Sequence, residues 1–188
     1  MSLVSALRAK GFEIVSEGTD QGPVVWATGV DGLNSLNIGR NRAVGNGVKG
    51  QAVLLDCDMR GHPQLFADTL HFVPHLDGTL AIGSTSERDF VSPDQPDARL
   101  DALLEKARTV LPTIANAPVI RRWAGVRPRS RSRAPMLGPW PDKPGHYIAN
   151  GGFKIGFGMA PKIADVMADL VLEQRDTIPS DFRVEASF

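Results

Sequence analysis

The most permissive stretch for chemistry is Asn150-Gly151-Gly152-Phe153-Lys154-Ile155-Gly156-Phe157-Gly158. Glycines at 151, 152, 156 and 158 allow positive φ and close backbone approach. A helix from about Met159 to Glu173 follows, and its unpaired N–H groups carry partial positive charge that would stabilise a ligand developing negative charge above the loop. The spacing is not the GxGxxG dinucleotide fingerprint, so a plain connector that lets the helix pack on a sheet stays open beside a ligand-facing loop. Trp123-Ala124-Gly125-Val126-Arg127-Pro128 is the second such stretch. Arg127 closes an apolar strand and is fixed by Pro128, and its planar fork could hold a carboxylate through two parallel hydrogen bonds, or simply form a strand-end salt bridge. Arg129, Arg131 and Arg133 alternate with serines and are expected to face solvent. Gly83-Ser84-Thr85-Ser86-Glu87 reads either as a backbone-rich rim of a site or as a turn with a helix-capping pattern.

Other chemistries find little support. His62, His71, His75 and His146 are scattered, so no metal site is expected, and no GxSxG elbow marks a serine hydrolase. Lys plus Arg and Asp plus Glu both total 21 in 188 residues, which leaves no net field to favour nucleic acid or an anionic membrane. Cys57 is the single cysteine and reads as a half-buried thiol in or after a strand. Without a signal-peptide pattern or a spanning apolar run, a cytoplasmic protein is expected.

The elements that must position these residues are legible from periodicity. Leu3, Val4 and Leu7 suggest a helix over residues 2–9, stopped by Lys10-Gly11 before a short strand Phe12 to Val15. Pro23 to Gly29 reads as a strand buried on both faces and ending in the tight turn Thr28-Gly29. Short strands are expected at 48–55, 70–74, 79–83 and 119–126, with a helix from Pro96-Asp97 carrying Leu100, Leu103, Leu104, Ala107 and Val110 on one stripe. His146 to Ala149 is a further strand leading into the glycine loop. Strands 24–28 and 146–149 should be neighbours, bringing Thr28-Gly29 close to the glycine loop.

In order, Val24 to Gly29, Gly47-Val48-Lys49-Gly50-Gln51, Gly78 to Thr85, Trp123 to Pro128 with Ala134 to Gly138, and Asn150 to Pro161 resemble the successive motifs of the FAD-dependent D-amino-acid oxidase family, which includes glycine and sarcosine oxidases. The resemblance covers nearly the whole chain. It implies an α+β (mixed α/β) fold: residues 45–139 as a substrate-binding domain with an antiparallel or mixed sheet, residues 1–44 and 140–175 as the remnant of an incomplete FAD-binding domain, and 176–188 as a C-terminal tail. It implies that Arg127 pairs with a substrate carboxylate, and that Thr28, Gly29, Gly151, Gly152, Phe153, Lys154, Ile155 and Gly156 contact FAD. It also implies hydride transfer from an amine or amino acid to the flavin.

Departures from the family pattern are specific. No GxGxxG strand-turn-helix segment is present, so the chain reads as a C-terminal portion that would bind FAD weakly or not at all by itself, with another chain as a candidate source of the N-terminal FAD-binding half. Ser132-Arg133-Ala134-Pro135 stands where many members have Asp-Gly-x-Pro. Tyr147 is the only tyrosine, which leaves the substrate open. No cysteine lies beside Arg127-Pro128, so FAD is expected to be non-covalent. A non-catalytic, partner-binding chain without flavin is the rival reading.

Overall fold

The computed structural model describes residues 2–188. Its elements are α1 (Leu3–Ala9), β1 (Val24–Trp26), α2 (Gly29–Asn37), β2 (Gly45–Asp56), β3 (Leu65–Ala67), β4 (Leu70–Pro74), β5 (Thr79–Gly83), α3 (Ala98–Val110), β6 (Val119–Ser130), β7 (Met136–Pro139), β8 (His146–Asn150) and α4 (Gly156–Glu173). They form two sheets, a mixed α/β arrangement with both parallel and antiparallel pairing.

The larger sheet has strand order β3-β4-β5-β2-β6, and every pairing in it is antiparallel. Strand alternation sorts its two faces. Val53 and Leu55 of β2 join Phe72, Leu80 and Ile82 against Leu100, Leu103, Leu104 and Ala107 of α3 in one buried cluster. Each of the buried Val, Leu, Ile and Phe side chains contributes about 1.5–3 kcal/mol. Asp97 caps α3, its carboxylate accepting from the Arg99 N–H at 2.9 Å. Leu76-Asp77-Gly78 turns β4 into β5, with Gly78 at φ +85° and Asp77 accepting from the Thr79 N–H at 3.0 Å.

The smaller sheet has order β1-β8-β7, with β1 and β8 parallel and β8 and β7 antiparallel. It lies between two helices. Leu33 and Leu36 of α2 pack on Met136 and Ile148, while Val166, Met167 and Leu170 of α4 pack on Leu137 on the other face. Val184 is fully buried on the α2 side, so residues 176–188 are packed structure and not a loose tail.

Several sequence expectations need correction. Residues 12–15 form no strand and Phe12, Ile14 and Val15 are exposed, because no neighbouring strand is placed to pair with them. The run 23–29 yields only the three-residue edge strand β1, with Val25 exposed instead of buried on both faces, since nothing covers that edge. Gly29 begins α2, a helix the periodicity did not announce. Strand β6 continues through Arg127 to Ser130. Strand β7 lies inside the 45–139 span yet pairs with β8 in the smaller sheet.

Candidate functional site

The parallel register Val24↔His146, Val25↔Tyr147, Trp26↔Ile148 brings the turns after β1 and β8 to the same end of the smaller sheet. Strand ends of this kind are where α/β sheets bind ligands. Asn150, 8% exposed, ties the turns together: its Nδ2 donates to the Gly29 carbonyl at 2.8 Å and its Oδ1 accepts from the Gly151 N–H at 2.7 Å. Gly29 and Gly151 sit at φ +59° and +73°, where a side chain would be strained. Thr28 precedes α2, and Gly32 makes room for its hydroxyl, because a Cβ there would lie 2.2 Å from Thr28 Oγ1.

Between the two turns lies a largely apolar cleft of about 410 Å³, lined by Val25, Ala27, Gly29, Pro128, Gly151, Gly152, Phe153, Gly156, Ala160 and Ala164 among others. Open space lies where a Cβ would stand on Gly29 or Gly156, so a flat group could approach the backbone there. Helix α4 starts at Gly156, earlier than the sequence suggested, and Ile155 gives it no side-chain cap. Its first N–H groups and its dipole therefore face the cleft end without an internal partner.

Arg127 adjoins the cleft. Phe153 donates its N–H to the Pro128 carbonyl at 2.9 Å, and its ring centroid is 5.7 Å from the Arg127 Cζ. Arg129 Cζ and Lys154 Nζ stand at the same 5.7 Å, giving the ring a cationic rim. The Arg127 fork crosses β2 at Gly50, where a Cβ would lie 2.1–2.4 Å from its Nη1, Nη2 and Cζ. Nη1 donates to Ser84 Oγ at 3.1 Å and Nη2 to the Thr85 carbonyl at 2.7 Å. Its buried Nε has no hydrogen-bond partner, and no carboxylate of the described residues forms a salt bridge with it. Burial pushes the guanidinium below the usual arginine range, opposed by the charge of Glu87.

On the α3 side of the same strands lies a saturated polar cluster. Lys49, 1% exposed, donates to the Gln95 carbonyl at 2.8 Å and contacts Asp97 at 3.3 Å. Gln51 donates to Glu87 and to Asp97, each at 2.8 Å, and accepts from the Asp97 N–H at 2.8 Å. Burial pushes the Glu87 carboxyl up, but hydrogen bonds from Thr85, Gln51 and Arg99 outweigh it and leave it below the ordinary range. Hydrogen bonds from Gln51 and the Arg99 N–H, then Lys49, hold Asp97 at about 2.

Gly29, Gly151, Gly152, Phe153 and Gly156 thus line one cleft, with Arg127 beside it, whereas Thr28 precedes Gly29 in the turn without lining the cleft. Lys154 and Ile155 are in the same segment but exposed. Arg129 and Arg131 are half-buried, contrary to a solvated loop, and Arg131 bonds the Phe188 carbonyl. Residues 84–87 cap no helix; they extend the pairing with β2 through Lys49↔Glu87. Sequence reasoning missed Asn150, Gly50 and the Lys49, Gln51, Glu87, Asp97 cluster. Asn before Gly-Gly was the available signal for the first, whereas the others depend on partners distant in the chain.

A sequence profile described as "FAD dependent oxidoreductase" matches residues 2–170. The chain is 31% identical over 153 residues to a glycine oxidase of Bacillus subtilis, covering 80% of this chain and 41% of that protein. It is 32% identical over 125 residues to a glycine oxidase of Pseudomonas aeruginosa, covering 66% of this chain and 34% of that protein. The crystal structure of glycine oxidase from Geobacillus kaustophilus superposes with a TM-score of 0.73 at 26% identity, covering 86% of this chain and 45% of the other. The chain therefore spans about two-fifths of the length of such relatives.

Proposed function

The chain belongs to the family of FAD-dependent oxidoreductases, and from that premise we propose that it forms the substrate-facing part of an amine or amino-acid oxidoreductase. One observation carries this reading. Arg127 is a half-buried guanidinium with an unpartnered Nε and no carboxylate ion pair, placed beside an apolar cleft at the strand ends. An uncompensated buried cation is costly, and an amino-acid carboxylate would offset that cost while fixing the substrate's orientation.

The residues present fit a flavin. Thr28, Gly29, Gly151, Gly152, Phe153, Lys154, Ile155 and Gly156 would hold it, through a cleft without side-chain obstruction at Gly29 and Gly156 and through the free N–H groups at the start of α4. FAD, when bound, supplies the two-electron acceptor for oxidising the substrate C–N bond. Arg127 would orient the substrate so that its α-carbon hydride faces that acceptor; loss of the hydride to it and of a proton from nitrogen would give an imine, which water would hydrolyse to a carbonyl compound and ammonia or an amine. The dipole of α4 stabilises negative charge arising at its N-terminus. Cys57, the only cysteine, packs against the α3 core, which supports non-covalent binding.

In this reading residues 45–139 contribute mainly to substrate binding, and residues 1–44 and 140–175 to the cofactor side. The open edge of β1 and the exposed Leu3, Val4, Leu7 and Phe12 support a further body of protein here, such as an N-terminal FAD-binding half carried by more chain or by a partner chain. The lone cysteine is compatible with a reducing cytoplasm, and among the described residues no helix is long and apolar enough to cross a membrane.

Arg127→Met tests the proposal in the flavin-loaded protein. Loss of a charge-assisted pair of about 1.5–3 kcal/mol should lower kcat/KM for a carboxylate-bearing amine roughly tenfold or more. An amine without a carboxylate should be little affected. Equal losses for both substrates would refute the assignment.

A further inference from the structure

Arg127 is held by a residue that is itself held. We propose that Thr85 and Glu87 are positioning residues for the carboxylate clamp, with Glu87 fixing Thr85 and the Thr85 carbonyl fixing the Arg127 fork. This rests on the reading of Arg127 as a carboxylate ligand.

Thr85 is pinned at every polar atom. Its N–H donates to the Gln51 carbonyl at 3.2 Å, its hydroxyl oxygen accepts from the Gln51 N–H at 2.8 Å, and that hydroxyl donates to Glu87. The one group left, its carbonyl, accepts from Arg127 Nη2 at 2.7 Å. Glu87 is in turn held by Gln51 at 2.8 Å and by Arg99 at 2.6 Å, with its side chain 6% exposed. Arg99 thus neutralises Glu87 on the α3 side, while Arg127 keeps its charge on the opposite face, above Gly50.

A guanidinium has five N–H donors. Ser84 and Thr85 take one each, from Nη1 and Nη2. The remaining donors, Nε–H among them, face a direction set by those two anchors. A long arginine side chain without such anchors would sample many rotamers, so the network confers orientation and not merely charge.

The test uses the full chain labelled with 15N-arginine and acetate as probe. The Arg127 Nε–Hε signal is assigned by its disappearance in Arg127→Met, and it should shift saturably as acetate is added. Thr85→Val keeps the shape but removes the hydroxyl, and should weaken acetate binding about fivefold and move the Nε–Hε signal, the scale of one hydrogen bond of about 1 kcal/mol at 1.4 kcal/mol per decade. Thr85→Ser should restore both. Glu87→Gln should change both in the same direction as Thr85→Val. Arg122→Ala, on the same strand as Arg127, breaks an ion pair with Asp101 of α3, and should leave both readouts unchanged whatever it does to melting. Unaltered affinity and signal in both Thr85→Val and Glu87→Gln would overturn the positioning role while leaving the clamp intact. Saturable acetate binding that survives in Arg127→Met would remove the clamp itself, and the proposal with it.

Discussion

Replacing Gly50 with alanine should unseat Arg127 while sparing the sheet. The added Cβ would lie 2.1, 2.2 and 2.4 Å from Nη1, Nη2 and Cζ of Arg127, against an ordinary contact of about 3.4–4 Å, so the fork must move by more than about 1 Å. That displacement breaks the 2.7 Å bond to the Thr85 carbonyl. A hydrogen bond from a charged donor contributes about 1.5–3 kcal/mol, so carboxylate affinity should fall by about ten- to a hundredfold. Losing the same bond should lower stability by about 1.5–3 kcal/mol, which the strand preference for alanine offsets only in part. Gly50 lies inside β2 without positive φ, where alanine is favoured over glycine by about 0.5–1 kcal/mol. Acetate titration followed at the Arg127 side chain measures the first quantity, and the urea midpoint measures the second. An unchanged acetate affinity would refute the account of how Arg127 is seated.

Asn150→Ala removes the side-chain bond that joins the two turns and the one to its neighbour Gly151, and leaves the Gly29 carbonyl without its partner, so it should cost about 1–3 kcal/mol in urea unfolding; a loss under about 0.5 kcal/mol would show that the turns are held otherwise. Acid stability should depend on Glu87 and Asp97. Both carboxyls lie below their ordinary values in the folded chain, so their contribution is complete above the unfolded pKa of about 4 and is lost as pH falls through the folded values, toward about 2 for Asp97. Glu87→Gln should therefore flatten the decline of the urea midpoint between roughly pH 5 and pH 2, and an unchanged slope would contradict the linkage.

The sequence showed the fold wherever the signal was local. The stripe Leu100, Leu103, Leu104, Ala107 and the cap Asp97 marked α3 within one residue, and Leu76-Asp77-Gly78 marked its hairpin. Failures came where burial depends on what lies alongside. Phe12 to Val15 has strand composition but no partner, and Pro23 to Gly29 reads as a central strand although β1 is an edge. Helix α2 was hidden because Gly29 and Gly32, which serve the turn and the Thr28 hydroxyl, read as loop residues.

The site divides along the same line. Glycines at 29, 151 and 156 declare themselves because backbone conformation and close approach are properties of their own segment. Arg127 announces only that a guanidinium ends a strand. What makes it available is that its anchors, Ser84 and Thr85, lie more than forty residues away and offer oxygens without full charge, while Glu87, whose charge acts on it, is committed to Thr85, Gln51 and Arg99 behind the sheet. Had Glu87 turned to the Arg127 face, the two would form an ordinary buried ion pair and leave nothing for a ligand. Antiparallel pairing with strict alternation separates them: Gln51 points to the α3 side with Glu87, and Gly50, one residue earlier, opens the other side for the fork. A one-residue slip of β2 would exchange Gln51 with Gly50, so the register of that strand fixes both the neutralised carboxylate and the unneutralised arginine.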